Sequence, residues 1–289
     1  MTRHLPRVMG HEFAGVVAAV GEGTSAVREG DRVVVQSVIG CGACKWCDEG
    51  LANLCVTRRT FGIDVDGGFA ELAAVPARNV YRLPDGVSFE AGALLQPFAI
   101  ATYAVERAQV RPGERIGVWG AGQIGLSIIQ LAQQAGARVE VAVGRSSVRL
   151  DAASALGAAH VVSALDGDPG AALAERFAHE KLDVVFEASG SVRGATSALG
   201  VLGKRGRLVL IGNLAAPFHA DLLPAIFKEI SIVSVHTYSL GAWRRALANV
   251  GRIEAQRADL PLVVLPLAQG EQAFERAAGG EGAKFLLQP

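Results

Sequence analysis

The cysteines of this chain are confined to one short segment. All four lie within fifteen positions of a 289-residue sequence, spaced C-x2-C-x2-C-x7-C, at Cys41, Cys44, Cys47 and Cys55. Two-residue gaps bring thiolates to one side of a turn without strain, and four thiolates suit a tetrahedral structural zinc ion. The alternatives are a buried apolar cysteine cluster and disulfides, for which such gaps give poor geometry. We predict Zn²⁺ bound by all four thiolates, with no coordination position left for a reacting water.

A second chemical pattern is a glycine-rich turn between a strand-like run and an amphipathic, helix-like stretch. Its sequence GAGQIG comprises Gly120, Gly122, Gln123, Ile124 and Gly125. Gly120 permits a tight turn, Gly122 lets backbone approach a pyrophosphate, and Gly125 allows close packing of helix on strand. The N–H groups of Gln123 and Ile124, at the helix start, should meet the phosphates. The pattern predicts a dinucleotide site; the alternative is a glycine-rich turn in an unliganded α/β sheet.

The end of the following strand bears on the choice of dinucleotide. An acidic residue there would accept hydrogen bonds from the ribose 2′-OH and repel a 2′-phosphate. The chain instead has Gly144, followed by Arg145, Ser146 and Arg149, with no carboxylate before Asp151. Two guanidinium groups and a hydroxyl suit a dianionic phosphate, so we predict NADP(H) over NAD(H). The alternative is that both arginines are solvated residues at a helix start.

The elements that position these residues follow from the hydrophobic pattern. Before about residue 84, short β-like runs are separated by Gly, Asp and Pro turns, at residues 15–20, 32–38, 69–75 and 80–83. After a helix-like stretch, apolar strands alternate with helical segments, the strands being at residues 116–119, 138–143, 160–162, 183–187 and 207–211. This alternation predicts an α/β fold, with a doubly wound parallel sheet covered by helices on both faces.

Composition narrows the classes of partner. Half of the residues are hydrophobic, and 28 Lys and Arg balance 28 Asp and Glu, so the net charge is zero. Such a chain lacks the basic footprint that nucleic acid or an anionic membrane requires. It also lacks a run of eighteen apolar residues and a signal-peptide pattern. We expect a protein that acts on a small molecule. We expect it in the cytoplasm, because this compartment suits reduced, zinc-bound thiols.

Four segments together resemble the medium-chain zinc alcohol dehydrogenase family, in its polyol and threonine dehydrogenase-like branch. They are residues 10–15 (GHEFAG) and 30–33 (GDRV), the cysteine segment and GAGQIG. The resemblance covers essentially the whole chain. It implies a GroES-like, mostly β catalytic domain over residues 1–97, carrying the zinc lobe at 41–55. A Rossmann domain would follow over 98–228, and a segment returning to the catalytic domain over 229–289.

The activity implied by the resemblance is reversible oxidation of a secondary alcohol or polyol to a carbonyl compound. Zinc would polarise the substrate oxygen while hydride passes to the nicotinamide. A dimer or tetramer is implied as well. Residues 187–190 and 211–213 follow predicted strands at the carboxyl edge of the sheet. They either line the nicotinamide pocket or form ordinary turns. No role is assigned to His160, His179 and His219.

The resemblance also implies a catalytic zinc site. His11 matches a ligand, Glu12 a ligand or a carboxylate behind one, and Gln96 the third ligand position, where a neutral amide is a weaker donor. In the family, a first cysteine ligand and a proton-relay residue lie some tens of residues before the Gly-His-Glu motif. In this chain, nine residues precede Gly10. We expect either a misplaced start or an N-terminally incomplete catalytic domain. The alternatives in function are an NADP(H)-binding protein without catalytic zinc and zinc-independent hydride transfer.

Overall fold

A computed structural model of the chain describes residues 5–167, 169–177 and 181–289. His179 lies outside the described residues, as do the first four residues. The described chain has an N-terminal region of short strands, a central parallel sheet with its helices, and a C-terminal segment. The α/β fold predicted from the sequence is confirmed.

The N-terminal region is built from short strands and turns. Its strands are β1 Ala14–Val16, β2 Arg32–Val35, β3 Val38–Ile39, β4 Arg59–Thr60 and β5 Val80–Arg82. Its helices are α1 Lys45–Asp48, α2 Phe89–Ala93 and α3 Leu95–Ala108, with 3₁₀ turns at Ala52–Leu54 and Ala77–Asn79. Strand β2 pairs antiparallel with β1 and β5, and β3 pairs with β4. The predicted boundary between residues 97 and 98 falls inside α3.

The strand predicted over residues 69–75 is wrong. Phe69 N–H donates to Met9 O at 2.9 Å. Beyond Phe69, no backbone hydrogen bond within the described ranges joins residues 70–75 to a neighbouring strand. These residues line a cavity of about 1140 Å³ instead. A short apolar run forms a strand only when a partner supplies the ladder of hydrogen bonds.

The central sheet and its helices follow α3 in alternation. The strands are β6 Arg115–Trp119, β7 Arg138–Gly144, β8 Val161–Ser163, β9 Leu182–Glu187, β10 Leu202–Leu210 and β11 Ser231–Ser234. The helices are α4 Gln123–Gln134, α5 Ser147–Ala155, α6 Pro169–Arg176, α7 Val192–Val201 and α8 Leu223–Phe227. The sheet is parallel, in the order β11-β10-β9-β6-β7-β8. The strand order reverses between β6 and β9, which is where doubly wound sheets bind ligands.

Both faces of the central strands of this sheet are buried, and each face has its own core. Val184 and Phe186 belong to a core shared with α3 and α4, whereas Val185 belongs to a second core shared with α6 and α7. Successive residues of a strand point to opposite faces, so a continuous apolar run such as β9 supplies both cores. The helices on both faces confirm the doubly wound arrangement.

The C-terminal segment returns toward the N-terminal region. Its elements are α9 Leu240–Ala248, α10 Val250–Gln256, β12 Leu262–Pro266, α11 Gly270–Ala278 and β13 Lys284–Gln288, with 3₁₀ turns at Arg257–Asp259 and Leu267–Gln269. Helix α9 packs against α3, and β12 pairs parallel with β13. Among the described residues, no helix combines the length and the apolar character needed to span a membrane.

Candidate functional site

The four cysteines predicted to bind zinc converge in the structure. Their Sγ atoms all lie within 4.8 Å of one another, and the Sγ atoms of Cys41 and Cys47 are 3.9 Å apart. Four thiolates at about 2.3 Å from a tetrahedral zinc ion would be about 3.8 Å apart, so the donor set fits the ion. Helix α1 and the following 3₁₀ turn place Cys47 and Cys55 against the loop that carries Cys41 and Cys44.

Hydrogen bonds to sulfur prepare this cluster for a cation. The backbone N–H of Cys41 donates to Cys55 Sγ and lowers the pKa of Cys55 to about 6, with a further contribution from the Thr57 hydroxyl. The backbone N–H of Cys47 lowers the pKa of Cys44, but burial and the three neighbouring thiols outweigh it and raise the value to about 11. The four sulfurs therefore do not all ionise without a compensating charge, which a divalent metal supplies.

The cysteine segment is attached to the chain that leaves the central sheet. Asn53 is buried in the 3₁₀ turn before Cys55, and its Nδ2 donates to His236 O at 2.8 Å. Leu240 N–H donates to Gly50 O at 2.8 Å. The residues between β11 and α9 therefore depend on the fold of the cysteine segment.

The glycine-rich turn has the geometry expected of a pyrophosphate cradle. Gly120 has φ of +98°, and a Cβ there would lie 2.7 Å from Ser189 N. A Cβ on Gly125 would lie 1.9 Å from Gly120 O, whereas a Cβ on Gly122 would meet no atom within 4 Å. The turn therefore packs tightly on its inner side and leaves open space at Gly122, at the N-terminus of α4. Free N–H groups and the helix dipole at this point favour an anion.

A buried polar atom beside the turn has no partner. Gln123 is 9% exposed, and its Oε1 accepts no hydrogen bond from any described residue. Buried polar atoms are almost always paired in native structures, so an unpaired one beside an open cradle fits a site that a ligand completes. The N–H groups of Gln123 and Ile124 lie in the first turn of α4, where they have no intrahelical acceptor.

The end of β7 presents the residues predicted to choose the coenzyme. Gly144 closes the strand, and a Cβ there would lie 3.1 Å from Leu150 Cδ2 and 3.2 Å from Ala121 Cβ. An acidic side chain at this position would therefore displace its neighbours. Arg145 follows as an exposed side chain, and Ser146 is the N-cap residue of α5. Burial lowers the pKa of Arg149, and the adjacent Arg145 guanidinium lowers it further.

Two of these residues also contact the C-terminal segment, which the sequence pattern did not indicate. Ser146 Oγ donates to Gly280 O at 2.9 Å, and Arg149 Nε donates to Gly282 O at 2.6 Å. Gly280 and Gly282 belong to the loop between α11 and β13. Arg145 and Arg149 form no ion pair with a carboxylate in the described part of the chain.

His11 and Glu12 lie side by side on the wall of the large cavity. His11 Nε2 is 3.7 Å from Glu12 Oε1, and Glu12 Oε2 is bonded to Lys284 Nζ at the start of β13. Burial lowers the pKa of His11, Glu12 opposes this change, and Lys284 adds to it. The imidazole is therefore neutral at pH 7 and free to act as a metal ligand.

The third predicted ligand, Gln96, comes from a different element, helix α3. Gln96 lies in the first turn of α3 and is 5% exposed, and no hydrogen bond joins it to His11 or Glu12 in the structure. Apart from the cysteines, no three His, Cys, Asp or Glu side chains within residues 5–167, 169–177 and 181–289 cluster at metal-binding distance. Of the donors proposed for a second zinc, Glu12 is paired with Lys284.

The carboxyl edge of the sheet is organised by a fully buried carboxylate. Glu187 ends β9 with 0% exposure, and its Oε1 accepts from Ser189 N at 2.9 Å. Its Oε2 accepts from Gly190 N at 3.2 Å, and a Cβ on Gly212 would lie 2.8 Å from the same oxygen. Glu187 therefore joins the loops that follow β9 and β10. This contact favours a structural role in shaping the crevice.

Comparison with known proteins identifies the class of this arrangement. Two family profiles match the chain: the alcohol dehydrogenase GroES-like domain over residues 1–85 and zinc-binding dehydrogenase over residues 124–252. The 2-dehydro-3-deoxy-L-galactonate 5-dehydrogenase of Pseudoalteromonas atlantica is 32% identical over 289 residues, covering 98% of this chain and 83% of that protein.

Two solved structures resemble this one closely. A zinc-binding dehydrogenase from Sinorhizobium meliloti 1021 bound to NADP has a TM-score of 0.89 and 27% identity, over 100% of this chain and 85% of that one. A short chain alcohol dehydrogenase from E. coli CFT073 complexed with NADH has a TM-score of 0.88 and 28% identity, over 99% and 85%. The chain therefore belongs to the medium-chain zinc alcohol dehydrogenase family. It is an oxidoreductase whose cofactors are zinc and a nicotinamide nucleotide.

The contacts that sequence reasoning missed join residues far apart in the chain. Lys284 pairs with Glu12 across 272 positions, and the carbonyls of Gly280 and Gly282 receive bonds from residues more than 130 positions earlier. A lysine at the start of a strand and a run of glycines are common features. No local signal could have identified them as part of a site.

Proposed function

We propose that the protein transfers hydride between NADP(H) and a secondary alcohol, a polyol or the corresponding carbonyl compound. The observation that carries the coenzyme preference is the pair of guanidinium groups, Arg145 and Arg149, beyond Gly144. They lack a carboxylate partner in the described chain and lie where the adenosine ribose of a doubly wound fold binds. The substrate class is supported by the relative that is named a 5-dehydrogenase of a deoxy sugar acid.

In this proposal the chain's own residues bind and orient the reactants. The N–H groups of Gln123 and Ile124 bind the pyrophosphate at the N-terminus of α4, where Gly122 leaves space for it. Arg145 and Arg149 bind the 2′-phosphate through their guanidinium groups, and Ser146 binds it through its backbone N–H at the start of α5, since its hydroxyl donates to Gly280 O. Glu187 holds the two loops at the carboxyl edge against which the coenzyme would lie: its carboxylate accepts from Ser189 N and Gly190 N, and its backbone O accepts from Gly212 N at 3.0 Å.

The proposed metal ligands fall into two groups. Cys41, Cys44, Cys47 and Cys55 hold a structural zinc ion that stabilises their loop. His11, Glu12 and Gln96 would hold a second ion, which supplies Lewis-acid polarisation of a substrate oxygen when bound. Glu12 would either coordinate that ion through Oε1, with Oε2 still paired to Lys284, or orient His11 from behind.

Metal content tests the enzyme proposal directly. We expect two zinc ions per chain in the native protein, and His11→Ala should lower the content to one and abolish alcohol oxidation. The melting temperature of the variant should change little, because the cysteine cluster is untouched. Zinc is measured by inductively coupled plasma mass spectrometry on protein dialysed against buffer.

The same measurement decides between the enzyme and its rival. Glu12 paired with Lys284 favours a second candidate, a coenzyme-binding family member without catalytic zinc. One zinc per native chain, unchanged in His11→Ala, would contradict the catalytic site and support this second candidate. Ala18→Ser, an exposed change on the same cavity wall, is a suitable control for both measurements.

The coenzyme preference is tested by Arg145→Ala. This change removes one of the two positive charges proposed to face the 2′-phosphate, and charge-assisted contacts contribute about 1.5–3 kcal/mol each. We expect the Kd for NADPH to rise about tenfold to a hundredfold and that for NADH to change less than about twofold. Calorimetry measures both. Arg138→Ala, at the opposite end of the same strand, is the matched control, and equal losses for both coenzymes would contradict the proposal.

Two further features belong to this proposal. We place the protein in the cytoplasm because zinc-bound thiols suit a reducing compartment. We also propose a homo-oligomer, supported by the exposed apolar residues Ile226 and Phe227 of α8 and Ile232 of the edge strand β11. Sedimentation equilibrium at a monomer mass of 30.1 kDa would contradict the oligomer.

A further inference from the structure

The loop between α11 and β13 lies against the proposed 2′-phosphate site. It comprises residues 279–283 and is named here the glycine loop. Two of its carbonyl groups accept hydrogen bonds from the start of α5: Gly280 O from Ser146 Oγ at 2.9 Å, and Gly282 O from Arg149 Nε at 2.6 Å. Both donors are residues assigned above to the phosphate. The loop and a 2′-phosphate would thus contact the same two residues.

Several bonds hold the glycine loop in place from its other side. Ala283 N–H donates to Pro261 O at 2.7 Å, and Glu281 N–H donates to Arg276 O at 3.2 Å. The Glu281 carboxylate accepts a hydrogen bond from Arg276 Nε at 2.8 Å, so its negative charge is compensated by that arginine. Gly280 and Gly282 have φ of +85° and +60°, which side-chain-bearing residues rarely adopt. The loop therefore presents its carbonyls from a fixed backbone.

The chemistry of the guanidinium group allows Arg149 to bind both partners at once. Its five N–H donors form a planar fork, and Nε–H is the one engaged by Gly282 O. The four N–H donors on the terminal nitrogens remain for an anion, and Arg145 places a second positive charge nearby. A guanidinium held at Nε has lost much of its freedom before the phosphate arrives, which lowers the entropic cost of binding.

We propose that the glycine loop determines coenzyme specificity, because Gly282 O positions the Arg149 guanidinium for the 2′-phosphate. Bound NADP(H) then links the central sheet to the C-terminal segment, whereas NAD(H), which has no 2′-phosphate, does not. This inference rests on the proposed NADP(H) preference. An anion bound to the terminal nitrogens restricts rotation of the guanidinium and so keeps its Nε–H directed at Gly282 O. Coupling between two contacts is reciprocal, so phosphate binding stabilises the loop as much as the loop favours the phosphate.

Hydrogen exchange with two small probes tests this coupling. The probes are 2′,5′-ADP, which carries the 2′-phosphate, and 5′-AMP, which does not, each at saturation by calorimetry. We expect 2′,5′-ADP to slow amide exchange in residues 279–284 by at least about fivefold relative to 5′-AMP, the lower range of typical coupling. Arg149→Lys retains the charge but has a single donor group, so it should still bind 2′,5′-ADP, more weakly, and show no added protection of the loop.

The outcomes separate this inference from the function on which it rests. If 2′,5′-ADP binds no tighter than 5′-AMP, the NADP(H) preference fails and the inference fails with it. If 2′,5′-ADP binds tighter but the loop exchanges at the same rate with either probe, the preference stands and the role of the loop is refuted. Full loop protection in Arg149→Lys would also overturn it, because the fork would then be unnecessary.

Discussion

Cys55→Ser is expected to remove one equivalent of zinc and to destabilise the whole chain. Cys55 is the buried member of the cluster and accepts the Cys41 N–H, so a serine there leaves three thiolates around an ion that prefers four. The loss of a bound metal is among the few changes that cost more than about 4 kcal/mol of folding free energy. At about 2–4 °C per kcal/mol for domains of 150–250 residues, the melting temperature should fall by at least about 8 °C.

Zinc content and thermal unfolding, measured on the same preparation, check this expectation. Ala43→Ser is the matched control, since it alters an exposed side chain of the same loop while its backbone N–H still donates to Cys41 Sγ. Undiminished zinc in the Cys55→Ser protein would mean that the cluster is not a four-thiolate metal site. Zinc loss with an unchanged melting temperature would mean that the ion does not stabilise the fold.

Gly125→Ala is expected to weaken binding of both pyridine nucleotides about a hundredfold or more. The added Cβ would lie 1.9 Å from Gly120 O, so α4 must move away from the turn that holds the pyrophosphate. Interiors are packed too densely to absorb such an overlap, and overpacking costs typically 1–3 kcal/mol in folding free energy as well. NADH and NADPH should lose affinity equally, because both place a pyrophosphate at this turn.

Calorimetric titration with each nucleotide measures the loss, and the melting temperature shows whether the variant is folded. Gly200→Ala is the matched control: it lies in α7, where a Cβ would meet no atom within 4 Å, and alanine is the better helix former by roughly 0.5–1 kcal/mol. Unaltered affinity in a folded Gly125→Ala protein would contradict the assignment of this turn to the pyrophosphate. A loss confined to NADPH would contradict it as well.

The parts of the molecule that could be predicted from its sequence are those with a local physical cause. The run from Arg115 to Trp119 followed by GAGQIG specifies a strand, a tight turn and a helix, because Gly120 turns the backbone at φ +98° and Gly125 packs directly on Gly120 O. The cysteine spacing likewise specifies a metal site. In both cases the ligand-binding geometry lies within a single short segment.

The parts that could not be predicted depend on residues brought together by the fold. Residues 69–75 form a mostly apolar run like that of a strand, but whether a ladder forms depends on a neighbour that their own pattern does not encode. The Lys284 bond to Glu12 and the Arg149 bond to Gly282 O join ordinary residues from opposite ends of the chain. Only the assembled structure reveals that candidate site residues such as Glu12 and Arg149 already have protein partners.

The attachment of the cysteine segment to the chain after β11 extends the reach of thiol chemistry. Because Asn53 and Gly50 hold that chain by two hydrogen bonds of 2.8 Å each, the order of the residues that leave β11, the last strand of the central sheet, depends on the cysteine cluster beside them. An oxidant or chelator that reacts with the exposed Cys41 would thus disturb the chain that leaves the central sheet, although it makes no contact with that chain. Oxidation of the thiols would therefore affect the residues between β11 and α9 through these two hydrogen bonds.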